Sequence, residues 1–211
     1  MAEAEKKFNL DLMCEAFCKC KTDDGELLMD EYIKAYHQLI NFNSLLGTVF
    51  NFVNCDIRDK VHILEHHLKS EQGEHYATVQ KMILYEVEKG TTAKTSKVAS
   101  GSRTFLRLHR ALEFLASFLD KLVQAQEGDK VSWLAVDAYR TTLSKFHPWL
   151  IRKGAELAMH TLPTQRQLME KIGMSDVEVT KTTLRKTIVA AQEVYASAQD
   201  LYTKHNLLDL P

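Results

Sequence analysis

The chain has 211 residues, with 27 Lys and Arg against 28 Asp and Glu and a formal net charge of −1. This length suits one domain over residues 1–211, and the balance excludes a globally basic nucleic-acid binder and an acidic disordered chain. Eight Gly and three Pro are less than half the usual share of about 12%, and beside 45% hydrophobic residues they point to a compact, mostly helical protein.

The first seven residues, Met1 to Lys7, are charged and lack the apolar stretch of a secretory signal, so the expected setting is the cytosol. Phe8 to Cys20 reads as a short amphipathic helix, followed by a turn at Asp23-Asp24-Gly25. Cys14 and Cys18 stand four apart on it, half of a metal site with no second Cys pair to complete it, so neither a metal nor a cofactor is expected. A long helical pattern runs from about Asp30 to Ser70, with Asn54 the candidate for a break. Its uncharged part, Ala35 to Cys55, holds too many Asn and Gln residues for a membrane span. The apolar residues there (Leu39, Phe42, Leu46, Val49, Phe50 and Val53) form one helical stripe.

A further helix is predicted over Glu74 to Lys89, and Gly90 to Ser102 reads as the longest loop. Thr104 to Ala125 is strongly helical and ends before Glu127-Gly128-Asp129. The next helix, from Val131 to Phe146, stops before Pro148, which opens its successor at the first position. Capping-box spacing at Thr164 to Gln167 and at Ser175 to Glu178 marks two more helix starts. The last helix carries a stripe at Leu184, Ile188, Ala191, Tyr195, Ala198 and Tyr202. The class is all-α, with about eight helices and no convincing strand.

Function becomes legible where charges fall on apolar faces. Arg103 and Arg107 head a helical column that continues through Ala111, Phe114 and Phe118. Asp56 and Lys60 interrupt a column that holds Phe52, Val53, Ile63 and Leu64. Such charges are costly unless paired or met by a ligand; the plain alternative is a weak Asp–Lys bridge on a helix rim. His147 sits at a helix junction, where a satisfied structural donor is the commoner role. Trp149, Leu150 and Ile151, with Arg152 and Lys153 next, suit a membrane interface or an ordinary amphipathic helix start. His62 and His66 lack the Glu that follows the first His of a metalloprotease helix. No phosphate loop or nucleophile elbow is present, so an enzyme is not expected.

Four segments together resemble the glycolipid transfer protein superfamily, most closely the branch that carries ceramide-1-phosphate. They are Asp56-Ile57-Arg58-Asp59-Lys60, Arg103 to Arg110, Phe146-His147-Pro148-Trp149, and the closing His205 to Pro211. The resemblance extends from Phe8 to the end. It implies an eight-helix, two-layer α sandwich holding one sphingolipid, with the headgroup at the surface and the hydrocarbon chains between the layers. Carried over residue by residue, Asp56 accepts the ceramide amide N–H, His147 donates to the ceramide carbonyl, and Lys60, Arg103 and Arg107 grip the headgroup, with Arg110 secondary. Sugar-binding relatives have a tryptophan where this chain has Arg107 and an asparagine where it has Lys60. An arginine fork suits phosphate, whereas an indole face suits a sugar ring.

Three cations and one carboxylate leave +2 at this cluster, close to the −1.5 to −2 of a phosphate monoester at about neutral pH. Phe42, Leu46, Val49, Phe50, Val53, Phe114 and Phe118 are candidates to line the pocket, although periodicity does not separate lining from core. The expected function is transfer of ceramide-1-phosphate between membranes by a monomer that docks transiently. The alternatives are transfer of a neutral glycosphingolipid and lipid sensing without net transport.

Overall fold

The computed structural model describes residues 7–95, 98–126, 129–172 and 177–211. The proposed cap at Ser175-Asp176, the breakers Glu127 and Gly128, and the start of the chain through Lys6 lie outside the described residues.

Helix α1 spans Leu10–Cys20 and opens with the Leu12 N–H donating to Asn9 Oδ1 at 3.1 Å. Its buried residues Leu10, Met13, Cys14 and Phe17 follow the helical repeat. Helix α2, Met29–Leu45, and helix α3, Asn51–Leu68, divide the long pattern. The break falls at Gly47, seven residues before Asn54. Gly47 has φ 116° and ψ 165°, a conformation open essentially to glycine alone, and a 3₁₀ turn at Thr48–Phe50 follows it. Asn54 lies inside α3 and is buried, its Nδ2 donating at 3.1 Å to both Ile40 O and Ser44 Oγ. A residue expected to separate two helices instead ties them together. With the helix broken, the stripe loses its phase, and Val49 is 41% exposed.

Glu74 to Lys89 divides into a 3₁₀ turn at Gly73–Tyr76 and α4, Val79–Glu88, which Thr78 caps. Helix α5 is Gly101–Gln124. Helix α6, Val131–Thr141, ends earlier than expected, and a separate 3₁₀ turn covers Leu143–Phe146. Helix α7 is Trp149–Met159, and Pro148 stands one residue before it, at the N-cap and not at the first helical position expected, its ring offering no acceptor to the first turn. Helix α8, Gln165–Ile172, starts with the expected reciprocal cap: Thr164 N–H donates to Gln167 Oε1 at 3.1 Å, and Gln167 N–H to Thr164 Oγ1 at 3.3 Å. Helix α9 is Val177–Lys204. The described residues thus hold nine α-helices and no strand, only two isolated bridges.

The helices form two layers. Helix α1 lies between α2 and α9, with α8 against α2, while α5 packs on α3, α4 and α6, with α7 on α6; the α2–α3 and α5–α9 contacts join the two sets. Between α5, α2 and α9 the core is aromatic. Tyr32, Tyr36, Phe105 and Tyr202 are all fully buried, and two of their hydroxyls bind carbonyls of α5, Tyr36 to Leu108 at 2.5 Å and Tyr202 to Ser102 at 2.7 Å. Among the described residues no helix is long and apolar enough to cross a membrane.

Candidate functional site

Helix α5 begins where Ser100 Oγ accepts the Arg103 N–H at 3.1 Å. From this first turn Arg103 and Arg107 project along one face, both half-buried. Neither guanidinium has a hydrogen bond or an ion pair among the described residues, and Arg103 Nε is buried without an acceptor. Burial, and then the Arg107 charge beside it, pull the Arg103 pKa down from its ordinary value. Two like charges four residues apart, half-buried and without a carboxylate among the described residues, form an arrangement that an anion relieves. The column below them is aromatic, as expected, with Phe114 and Phe118 stacked at 6.0 Å.

Helix α3 packs on α5 and carries Asp56 and Lys60. Their side chains form the i,i+4 ion pair, with Lys60 13% and Asp56 69% exposed. Lys60 Nζ also donates to Asp56 O at 3.3 Å. The rim bridge therefore exists, and its ammonium lies on the buried side. His147 belongs to the same electrostatic neighbourhood: burial lowers its pKa, Asp56 raises it and Lys60 lowers it. Its Nδ1 lies 2.7 Å from the Tyr139 hydroxyl. Burial and Glu156 push the Tyr139 pKa up, so the hydroxyl keeps its proton and is able to donate to Nδ1. In the tautomer that accepts this bond at Nδ1, a neutral His147 carries its proton on Nε2, where it can donate to a ligand.

Arg110 is engaged elsewhere. Its Nη2 donates to Leu208 O at 2.7 Å and to Leu210 O at 3.4 Å, and the guanidinium lies over the Phe146 ring at 4.2 Å. The spacing that suggested a secondary headgroup contact places this residue as a clamp on the closing segment.

Of the pocket candidates, Phe42, Leu46, Phe50 and Phe118 are buried, Val53 and Phe114 are partly buried, and Val49 faces solvent. A groove of about 610 Å³ between α1 and α9 and a cleft of about 330 Å³ beside α6 and α8 touch none of these residues. On α7, Trp149 is 64% and Leu150 72% exposed. Ile151, Arg152 and Lys153 are exposed beside them, with Lys153 Nζ 3.5 Å from Glu156.

A family profile described as glycolipid transfer protein matches residues 27–174. The chain is 38% identical over 212 residues to the ceramide-1-phosphate transfer protein of Rattus norvegicus, covering 98% of each. The chain belongs to the glycolipid transfer protein family. It is also 35% identical over 214 residues to the ceramide-1-phosphate transfer protein of Homo sapiens, covering 100% of each. The crystal structure of the mouse protein in its apo form superposes with a TM-score of 0.92 at 38% identity, covering 97% of this chain and 100% of that one. The human protein in complex with 2:0 ceramide-1-phosphate gives 0.91 at 35% identity, over 98% and 100%. The family is one of lipid transfer.

One buried charged residue near the site went unnoticed in the sequence. Glu86 is 1% exposed and holds the first turn of α5. A signal was available: Val79, Met82, Ile83 and Glu86 fall on one helical face, and the other three are core.

Proposed function

We propose that this chain is a non-enzymatic carrier that moves ceramide-1-phosphate between membranes. The observation that carries the reading is the pair Arg103 and Arg107, half-buried on one face with no acceptor among the described residues. Two guanidiniums with Lys60 nearby match a dianionic phosphate in charge and in hydrogen-bond geometry. A sugar offers no charge to repay their desolvation. Within this reading Asp56 accepts the ceramide amide N–H and His147 Nε2 donates to the ceramide carbonyl. The hydrocarbon chains occupy the interior around Phe42, Leu46, Phe50, Val53, Phe114 and Phe118.

Burial is worth about 0.8 kcal/mol per CH₂, so a two-chain ceramide leaves a bilayer slowly on its own. An apolar interior makes the exchange nearly neutral in free energy. The exposed Trp149, Leu150 and Ile151, with Arg152 and Lys153, support transient docking on a membrane surface. The protein acts in the cytosol, as a monomer and a single domain. Names and ligands of the relatives agree with this substrate.

Transfer from donor to acceptor phosphatidylcholine vesicles tests the proposal, with fluorescent ceramide-1-phosphate and fluorescent glucosylceramide compared. Faster movement of the phosphate lipid is expected. Faster movement of glucosylceramide overturns the headgroup assignment, and stoichiometric binding without accelerated transfer makes the protein a lipid sensor.

A further inference from the structure

The headgroup cations stand on two different helices, Lys60 on α3 and Arg103 on α5, so their mutual placement depends on what fixes those helices to each other. The groups that do so lie beneath the site. Glu86, on α4, is 1% exposed. Its Oε1 accepts the Gly101 N–H at 2.7 Å and the Tyr76 hydroxyl at 3.1 Å, and its Oε2 accepts the Ser102 N–H at 2.9 Å. A carboxylate here meets the positive end of a helix and two of its unpaired N–H groups, which is what makes a buried charge tolerable.

Tyr76 in turn stacks on His67 of α3, with ring centroids 4.4 Å apart. His67 Nε2 donates to Ala99 O at 2.8 Å, just before α5 begins. The chain of contacts thus runs from α3 through His67, Tyr76 and Glu86 into the turn that carries Arg103. The approach is close. A Cβ at Gly101 would stand 2.6 Å from Met82 Sδ and 3.0 Å from Tyr76 Cε1, so any larger residue there must push these side chains, and with them the clamp, aside.

We propose that Glu86 is a positioning residue of the headgroup site: with Tyr76 and His67 it fixes the first turn of α5 against α3 and so sets where Arg103 stands relative to Lys60. It touches no ligand. Its effect is on the increment of affinity that the phosphate provides, because a guanidinium displaced by a fraction of an ångström loses its aligned hydrogen bonds while the interior is unchanged. This rests on the reading of the site as phosphate-binding.

The test compares transfer of fluorescent ceramide-1-phosphate with that of the same ceramide lacking phosphate, between phosphatidylcholine vesicles, for the native chain and for Glu86→Gln. The native preference for the phosphate lipid is expected to fall by about tenfold in the variant, the worth of one charge-assisted hydrogen bond. Transfer of the unphosphorylated ceramide should change little. An unchanged preference with a lower thermal midpoint would reduce Glu86 to a helix cap and overturn the inference. If Glu86→Gln does not fold, Gly101→Ala displaces the same turn without altering the carboxylate and should lower the preference in the same way; an undiminished preference there also overturns it. A native chain with no preference for phosphate refutes the proposed function instead, which separates the two failures.

Discussion

At the scale of single residues, the site is set by what its charged groups lack. Arg103 and Arg107 pair with no carboxylate among the described residues, whereas exposed cations such as Lys19 and Lys34 pair along their own helices at little consequence for stability. Arg107 has no hydrogen bond or ion pair among the described residues, so replacing it should separate binding from folding. Arg107→Leu is expected to lower the rate of ceramide-1-phosphate transfer by about 100-fold, since a bidentate contact loses two charge-assisted bonds. Far-ultraviolet circular dichroism should be unchanged. Full activity in this variant would refute the headgroup assignment while leaving family membership untouched.

The contrast with Arg110 is instructive at the same scale. Three residues further along α5, it is oriented by Leu208 O, Leu210 O and the Phe146 ring, partners distant in sequence. In the sequence Arg107 is a headgroup residue and Arg110 a secondary one. Which one keeps a guanidinium without partners among the described residues depended on where the closing segment lies.

At the scale of elements, α7 and the α2–α3 junction differ in how well local pattern foretold them. The apolar start of α7 admitted two readings, and 64% exposure of Trp149 argues against a core role. An indole, two aliphatics and adjacent bases on one exposed helix end suit the headgroup layer of a bilayer. Trp149→Ala should therefore weaken association with anionic vesicles several-fold, as measured by sedimentation with phosphatidylserine-containing liposomes, and leave the thermal midpoint within a degree or two. Unaltered partitioning would remove Trp149 from the docking surface.

The α2–α3 junction was legible as a helical stretch but misjudged at its break. Asparagine is a weak helix former, which drew attention to Asn54; the conformation at Gly47, outside the reach of other residues, decided the matter. Asn54 could then serve as a buried tie because Ile40 O and Ser44 Oγ came within reach across the turn.

At the scale of the whole molecule, acid stability should report on the interior. His109 is buried against Tyr195, with ring centroids 4.3 Å apart, and its Nε2 lies 2.9 Å from Gln199 Oε1. Burial pulls its pKa down from 6.5 to about 4, the Gln199 bond opposing. Above pH 6.5 the ring is neutral in both folded and unfolded chains. Between 6.5 and 4 the unfolded chain takes up a proton that the folded one refuses, so stability falls with falling pH, by about 3 kcal/mol in total. His147, whose pKa burial also lowers, contributes in the same direction. Urea midpoints measured across this range should decline for the native chain and decline less for His109→Gln. Equal slopes would show that His109 does not carry the effect.

The order of helices, the amphipathic faces, the Thr164 cap and the basic pair on an aromatic column were all contained in the sequence, because each depends on residues within a turn or two of one another. The tertiary structure decided the rest. It left Arg103 and Arg107 without acceptors among the described residues, turned Arg110 toward the closing segment, and set Glu86 beneath the turn that presents Arg103. Each of these outcomes turns on a partner far away in the chain, and periodicity carries no information about which distant group will arrive. The near-zero net charge is the plainest case: summed over the chain it says nothing of Arg103 and Arg107, which stand together on α5 with no ion pair among the described residues.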